Sequence, residues 1–199
     1  AGTSNVRFGV NAGNSIVSGG TRNVLIGDQA GTAITTGDYN VALGYAALDA
    51  EDAGSRATAL GYFALSNQNT DTDSYNVAVG FTAGESVTTG IQNTLIGGLT
   101  GDALTTGTGN VALGYNSLSS DTTGSSTVAI GKSALLANTT ASYNTSVGKG
   151  SMQANTTGAS NVAVGNEALR FGTTASNNTG VGYEVLYSNT TGGQNTASG

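Results

Sequence analysis

A five-residue motif repeats along the chain, and its clearest copy is Asn161-Val162-Ala163-Val164-Gly165. The same pattern of Asn-Val-Ala, then Leu or Val, then Gly recurs at residues 40–44, 76–80 and 110–114. Its last glycine recurs at intervals of 18, 17, 17 and 19 residues and then at seven intervals of 17, at Gly9, Gly27, Gly44, Gly61, Gly80, Gly97, Gly114, Gly131, Gly148, Gly165, Gly182 and Gly199. A fixed period of this length is typical of a solenoid, in which each repeat is one turn stacked on the last. We therefore predict a single domain over residues 1–199, an all-β parallel β-solenoid or β-roll of about 11 turns.

Counting the Asn as position 1 of the repeat, positions 2 to 4 have the composition of a short strand. β-Branched residues in a run bounded by Asn and Gly favour a strand over a helix. Position 3 is mostly Ala or Leu, and it faces the opposite side of the strand from positions 2 and 4. Because both faces are apolar, we expect another copy of the chain to cover one of them. Position 4 is predicted to form the structural core, with Ile26, Leu43, Leu60, Val79, Ile96, Leu113, Ile130, Val147, Val164 and Val181.

The remaining positions predict two corners and a second strand. The Asn at position 1 is expected to form hydrogen bonds from turn to turn, and the Gly at position 5 marks a corner. Positions 8 and 9 are often Ala-Leu, as in Ala47-Leu48 and Ala134-Leu135, and are predicted to be a second short strand. Positions 13 and 14 are Thr-Thr in eight turns, at residues 35–36, 88–89, 105–106, 122–123, 139–140, 156–157, 173–174 and 190–191.

Positions 9 and 12 vary together in all 11 turns. Where position 9 is Gly (13, 31, 84 and 101), position 12 is aliphatic, as Ile16, Ile34, Val87 and Leu104. Where position 9 is Leu or Met, position 12 is polar or Gly, as Glu51, Gln68, Asp121, Asn138, Asn155, Gly172 and Asn189. This pattern predicts one apolar pocket per turn that either position fills, since filling both would overpack it and filling neither would leave a cavity.

The composition argues against chemistry at this chain's surface. The chain has no Cys and no His, only 9% charged residues and a net charge of −6, which disfavours thiol chemistry and nucleic-acid binding. No apolar run approaches the ~20 residues of a membrane span, so membrane insertion is not expected. Asp71 and Asp73 provide too few oxygen ligands for calcium, and Asp49, Glu51 and Asp52 are read as scattered charge on a regular rod. We therefore expect no catalytic, cofactor or metal site.

Two stretches carry a resemblance to known families. Ser126-Thr127-Val128-Ala129-Ile130-Gly131 resembles the SVAIG repeat of trimeric autotransporter adhesin heads, although the period of 17 is longer than the adhesin unit. Residues 178–192 are similar to repeats of phage tail-fibre proteins and related bacterial surface proteins. The resemblance covers the whole chain. It implies a left-handed β-roll, an intertwined homotrimer, and an extracellular place at a cell surface or on a virion.

From these features we expect a structural or adhesive fibre segment, either a viral tail-fibre shaft or a subunit of a surface adhesin or filament. Its partners would be copies of itself, including end-to-end stacking because neither end of the array looks capped. A cell-surface glycan or receptor could contact the aromatic row at position 6, although such a row also suits packing. That row comprises Tyr45, Tyr62, Phe81, Tyr115 and Tyr183.

The alternative function is ice binding by the stacked Thr-Thr pairs. Eight pairs at even spacing would present a regular array of hydroxyl groups. Against this, adjacent residues of a strand point to opposite faces, so a flat two-file array would need Thr-x-Thr. A depolymerase would need clustered carboxylates in a groove, and the sequence shows none.

Overall fold

The computed structural model describes residues 3–199, so residues 1 and 2 of the predicted domain lie outside the described part. It contains 12 parallel strands of three residues in one sheet, and the strands lie in sequence order. The predicted all-β parallel solenoid is therefore confirmed. The strands are β1 (Val6–Phe8), β2 (Val24–Ile26), β3 (Val41–Leu43), β4 (Thr58–Leu60), β5 (Val77–Val79), β6 (Thr94–Ile96), β7 (Val111–Leu113), β8 (Val128–Ile130), β9 (Thr145–Val147), β10 (Val162–Val164), β11 (Thr179–Val181) and β12 (Thr196–Ser198).

The register places equivalent positions of successive repeats directly beside one another. Val162 of β10, for example, pairs with Thr145 of β9 on one side and with Thr179 of β11 on the other. Each repeat position therefore forms a column that runs along the stack. With about 4.8 Å between neighbouring strands, the 12 strands extend over roughly 50 Å.

The interior is built from position 3 of each strand and from the turn that faces it. Ala42, Ala112 and Ala163 at position 3 are fully buried, and Leu48 and Leu118 at position 9 fill the space opposite them. The expectation that position 4 forms the core does not hold for the single chain, because all ten side chains are half-buried or exposed. The interior is narrow, so it takes Ala from the strand when Leu enters from position 9. The bulkier residues of positions 2 and 4 are left on the outside.

The segment from position 5 to position 11 consists of turns, so the predicted second strand at positions 8 and 9 is wrong. Its backbone is left-handed at two positions of most turns, as at Ser133 (φ 57°) and Leu135 (φ 51°). These sharp reversals point the position 9 side chain inwards while its N–H still donates to the next turn, as Leu135 does to the Ser151 oxygen at 3.1 Å. A left-handed residue other than glycine is disfavoured by roughly 1–2 kcal/mol. Packing of Leu135, which is fully buried, offsets that penalty.

The asparagine column at position 1 forms the predicted bonds between turns, mostly to backbone groups. Asn110 is typical: its Oδ1 accepts from the Thr127 N–H at 3.0 Å, and its Nδ2 donates to the Gly124 oxygen at 2.8 Å. Ala57 interrupts the column. The next Asn, Asn76, is held in part by a buried glutamine outside the column, because its Nδ2 donates to Gln68 Oε1 at 2.7 Å.

Positions 3, 9 and 12 share one apolar space, which extends the two-position rule. A Cβ on Gly31 would lie 2.8 Å from Ile34 Cδ1 and 2.9 Å from Leu25 Cδ2, so glycine at position 9 leaves room for both side chains. Leu25 and Leu95 are leucines at position 3, and both belong to turns with glycine at position 9. The covariation of positions 9 and 12 therefore follows from the limited volume of this space, as predicted, and the side chain at position 3 also helps to fill it.

Candidate functional site

The most extensive exposed feature is the outer face of the sheet. Positions 2 and 4 carry Val, Leu, Ile, Phe or Thr in 11 of the 12 strands, and the twelfth ends in Ser198. Leu43 and Leu113 at position 4 expose 47% and 45% of their surface, and Phe8 exposes 76%. Position 4 is apolar from β1 to β11 and position 2 is Val or Thr, so the two columns form one largely apolar strip along the sheet, which we call the outer strip.

The aromatic row at position 6 borders the outer strip on one side, and the structure brings three of its five members together. Tyr45 and Tyr62 stack with centroids 5.4 Å apart, and Tyr62 and Phe81 stack at 5.3 Å with an interplanar angle of 6°. Tyr115 is separated from this stack by the turn of Gly98, and Lys132 lies 5.9 Å from the Tyr115 ring centroid. Tyr183, which is 68% exposed, stands apart from the other four.

A second row borders the opposite side of the outer strip, and the sequence analysis missed it. It consists of Arg22, Tyr39, Arg56 and Tyr75 at position 17, the residue that precedes the Asn column. The two guanidinium groups lie 5.3 and 5.4 Å from the Tyr39 ring, and Arg56 lies 5.8 Å from the Tyr75 ring. Arg and Tyr alternating at the repeat spacing was the signal for this cation–π ladder.

The Asp-x-Asp loop contributes to the same row. Asp73 forms an ion pair with Arg56 and accepts a hydrogen bond from the Tyr75 hydroxyl at 3.3 Å. Both partners of the ion pair are about 40% exposed, so their contribution to stability is small. Residues 3–199 contain no cluster of three or more His, Cys, Asp or Glu side chains suited to a metal ion.

Two carboxyl groups are buried inside the solenoid, contrary to the reading of Glu51 as scattered surface charge. Glu51 accepts from the Gly54 N–H at 2.8 Å and from Gln68 Nε2 at 2.7 Å. Asp121 likewise accepts from the Gly124 N–H at 2.7 Å and from the side-chain amide of Asn138. Burial raises the pKa of both carboxyl groups, and these hydrogen bonds oppose the rise.

Glu51 and Asp121 each begin a run of polar residues at position 12. In the turn before each of them, position 12 is aliphatic, as Ile34 before Glu51 and Leu104 before Asp121. A side chain at the start of the polar run therefore finds no hydrogen-bond acceptor at position 12 of the preceding turn. A carboxylate, which only accepts, suits this place better than an amide. The sequence does show this signal, because both acids directly follow an aliphatic residue in the position 12 column. Their role is structural, since they lie inside the stack and face only its own donors.

The paired threonines divide into an inner and an outer file. At position 13, Thr105 and Thr122 donate their hydroxyl protons to carbonyl oxygens of the next turn at 2.8 and 3.0 Å. At position 14 the threonines are exposed, as at Thr123 and Thr140. Only one of the two files is therefore directed to solvent, which fits the objection to a flat two-file array.

Two of the asparagines that directly precede a Thr pair, at positions 138 and 155, lie in the interior. Asn138 and Asn155 are buried, and the Asn155 side chain donates a hydrogen bond of 2.9 Å to Asn138 Oδ1. A shallow cavity of about 280 Å³ lies on the turn side of the rod, lined by Leu136, Ala137, Gln153, Ala154, Arg170 and Phe171. The Arg170 guanidinium that borders this cavity is paired with Glu167 at 2.6 Å.

The fold defines the chain as a tandem-repeat β-solenoid protein. No family model matches the sequence, and searches of curated proteins and of solved structures found no match. Within residues 3–199 there is no helix of the length and apolarity needed to cross a bilayer. The resemblance to adhesin heads and tail fibres therefore remains an interpretation of the repeat motifs.

Proposed function

We propose that the chain is a structural segment of an extracellular fibre, in which several copies associate through their outer strips. The observation that carries the proposal is the outer strip itself, a largely apolar surface that continues over the length of the sheet. Leu43 and Leu113 in this strip leave nearly half of their surface in water. Exposed apolar surfaces of this extent mark association sites in soluble proteins.

The dimensions of the outer strip suit an interface between copies. About 50 Å of stacked strands, each roughly 10 Å long, gives a strip of about 500 Å² per chain. Two copies that cover each other would bury about 1,000 Å², the lower range for a specific interface, and a closed trimer would bury more. A homotrimer, which the resemblance implies, would cover the outer strip of every copy.

Such a rod would act as a long, rigid spacer that presents the side chains at its edges to the surroundings. The regular ladder of backbone bonds between turns supplies stiffness, while the aromatic row at position 6 and the Arg–Tyr row at position 17 remain at the rims of the outer strip. A tail-fibre shaft or a surface adhesin on a cell or virion would use these features to hold a receptor-binding element away from the surface. A glycan or receptor contact at the aromatic rim belongs to the same proposal.

The association can be tested by placing a charge on the outer strip. Leu113→Asp introduces one carboxylate per chain into the centre of the strip, where burial would desolvate it. We expect the particle mass measured by light scattering to fall to that of the 19.5 kDa chain. Thr123→Asp is the matched control, because Thr123 is exposed on another side of the turn, and it should leave the mass unchanged. An unaltered mass for Leu113→Asp would contradict association through the outer strip.

Ice binding is the second candidate, and the exposed threonine file at position 14 is the observation in its favour. Thr106, Thr123, Thr140, Thr157 and Thr174 recur at the spacing of the turns and are all exposed. Thermal hysteresis at micromolar protein that is lost in Thr140→Tyr would support this function. Unchanged ice growth with the wild-type chain would reject it.

A further inference from the structure

Two rows of side chains border the outer strip on opposite sides, and the strands from β2 to β11 each have one member of each row. The residue at position 17 lies directly before the Asn of a strand, and the residue at position 6 directly follows its Gly. At β2 these two residues are Arg22 and Asp28, and at β4 they are Arg56 and Tyr62. Because the strands stack in sequence order, each pair stays at the height of its own strand.

Symmetry decides which rows meet when copies of the chain cover one another's outer strips. If the stacks run parallel around a common axis, the position 17 row of one copy faces the position 6 row of the next copy at the same height, whatever the number of copies. If two stacks run antiparallel, each row faces its own counterpart in reversed order. The two arrangements therefore bring different side chains together.

The parallel arrangement gives most of the charged side chains of both rows a partner of suitable chemistry. Arg22 faces the partner's Asp28, which has the opposite charge. A cation faces an aromatic ring at two further heights, where cation–π attraction is available, and two rings meet at β3 and at β5. Like charges meet at no height. The two cation–ring pairs are Arg56 with Tyr62 and Lys149 with Tyr143.

Arg22 and Asp28 are available for a contact between copies. Neither of the two ion pairs that form within residues 3–199 includes them, and both side chains are exposed. One N–H of the Arg22 guanidinium donates to the Tyr39 hydroxyl at 2.9 Å, which leaves its other donors for a carboxylate.

The antiparallel arrangement suits the two arginines less well. When β6 of one copy faces β6 of the other, Arg22 meets the partner's Ser160 and Arg56 meets the partner's Ser126. The lysines of the position 6 row face aromatic rings in this arrangement too. The arginines, and Asp28 with them, therefore distinguish the two directions, and they favour the parallel one.

We infer that neighbouring copies run parallel and in register, with the Arg–Tyr row of one copy packed along the position 6 row of the next. The inference rests on the proposed association through the outer strips, and it adds the direction of the copies and the contacts at the rims. The stacked rings of Tyr45, Tyr62 and Phe81 then belong to the interface between copies. A glycan contact falls to Tyr115 and Tyr183, which have no charged or aromatic residue opposite them.

Chemical cross-linking of introduced cysteines tests the direction and the register, because the chain has no Cys of its own. Gln92→Cys and Gly98→Cys place one thiol on each rim at the height of β6, and a Cβ on Gly98 has room. With a short bismaleimide, the double variant should form covalent oligomers on a denaturing gel, whereas each single variant should remain a monomer. Gln92→Cys with Lys149→Cys is the control, because a difference of three strands, about 14 Å, should prevent linkage.

A charge reversal tests the contact between Arg22 and Asp28. Arg22→Asp brings two carboxylates together at β2 and should weaken association about tenfold, measured by light scattering over a dilution series. Adding Asp28→Arg restores opposite charges and should return the association to that of the wild type. Circular dichroism of both variants checks that the solenoid is retained.

Each contrary result has a distinct meaning. Covalent dimers of Gly98→Cys alone would overturn the parallel direction, since Gly98 meets its own counterpart only in the antiparallel arrangement. An oligomer in which the Gln92 and Gly98 thiols link no better than those of the control would overturn the register, and so would a charge reversal that Asp28→Arg does not rescue. Both results would leave the association through the outer strip standing. A monomeric wild-type chain would reject that association and this inference together.

Discussion

Asn138→Leu, alone and combined with Leu135→Ala, tests how the interior is divided between apolar and polar columns. Asn138 is buried, and its Nδ2 donates to Asp121 and to the Ala141 oxygen at 3.0 Å. Its Oδ1 accepts from Asn155 Nδ2 at 2.9 Å. Leu135, three residues earlier, is also fully buried. The covariation of positions 9 and 12 alone would predict that leucine at 138 rescues Leu135→Ala, because either position fills the pocket.

The structure predicts a different result for the double variant. Leu135→Ala should destabilise by about 2–5 kcal/mol through the cavity it leaves. Asn138→Leu removes three hydrogen bonds, leaves Asp121 Oδ2 buried without its donor and takes one of two acceptors from Asn155 Nδ2, which keeps its bond to the Gly158 oxygen, for a loss of about 3–6 kcal/mol. A leucine at 138 fills part of the cavity but restores none of these bonds. The double variant should therefore remain at least about 3 kcal/mol below the wild type.

Urea unfolding followed by far-ultraviolet circular dichroism measures these differences, with all variants at the same protein concentration so that association does not distort the comparison. Leu135→Met is the matched control, because Met152 occupies the equivalent position of the next turn, and it should cost less than about 1.5 kcal/mol. A double variant as stable as the wild type would refute the polar column as a structural element.

Further predictions concern glycine, left-handed leucine and pH. Gly80→Ala should destabilise the fold by about 2–4 kcal/mol, because the φ of Gly80 is 142° and a Cβ would collide with the Gly97 oxygen of the next turn. Gly98→Ala is the control, because its Cβ has room, and thermal unfolding should show no loss of stability for it. Leu135→Gly should be no less stable than Leu135→Ala in the same urea assay, since glycine relieves the left-handed backbone (φ 51°); a further loss of 1 kcal/mol would contradict this. Burial raises the pKa of Glu51 and of Asp121 above their ordinary values of 4.5 and 3.8, so the folded chain holds protons that the unfolded chain releases. The free energy of unfolding should therefore be greatest below pH 4 and fall as the pH rises towards the raised pKa values. A double Glu51→Gln, Asp121→Asn variant should show a weaker dependence of stability on pH, and an unchanged dependence would contradict the role given to these two carboxyl groups.

The repeat in the sequence was sufficient to predict the architecture. The fixed spacing of the glycines at position 5 requires one turn per repeat, and Asn, Val and Gly in order predict where the strand begins and ends. These signals are local and recur in every turn, so neighbouring repeats confirm one another. The parallel sheet and the bonds made by the Asn column follow directly from them.

The repeat did not predict which face of each strand points to the interior. Both faces of a strand such as Val162–Val164 are apolar, and alternation identifies two faces without stating which one is inside. The answer depends on the opposite wall, where left-handed residues at position 9 direct leucine inwards. Leucine has little intrinsic preference for that conformation, so the sequence favours a strand there, and only tertiary packing makes the turn stable.

The interaction surfaces depend on contacts between turns that a single repeat does not reveal. The aromatic row was visible as a column, but the stacking of Tyr45, Tyr62 and Phe81 is seen only in the structure, where the turn of Gly98 separates that stack from Tyr115. The Arg–Tyr row is present in the sequence at regular spacing, but the contacts that make it a row form only between side chains of successive turns. Burial of Glu51 likewise contradicts the usual expectation that acidic residues in a turn are solvated.

The central claim is that the outer strip is covered by other copies of the chain, and the solution mass of the wild-type protein tests it most directly. Light scattering on a size-exclusion column should give about three times the 19.5 kDa chain, with circular dichroism showing a β-rich particle. A stable monomer at all concentrations measured would show that the outer strip remains in water, and would contradict the proposed fibre assembly.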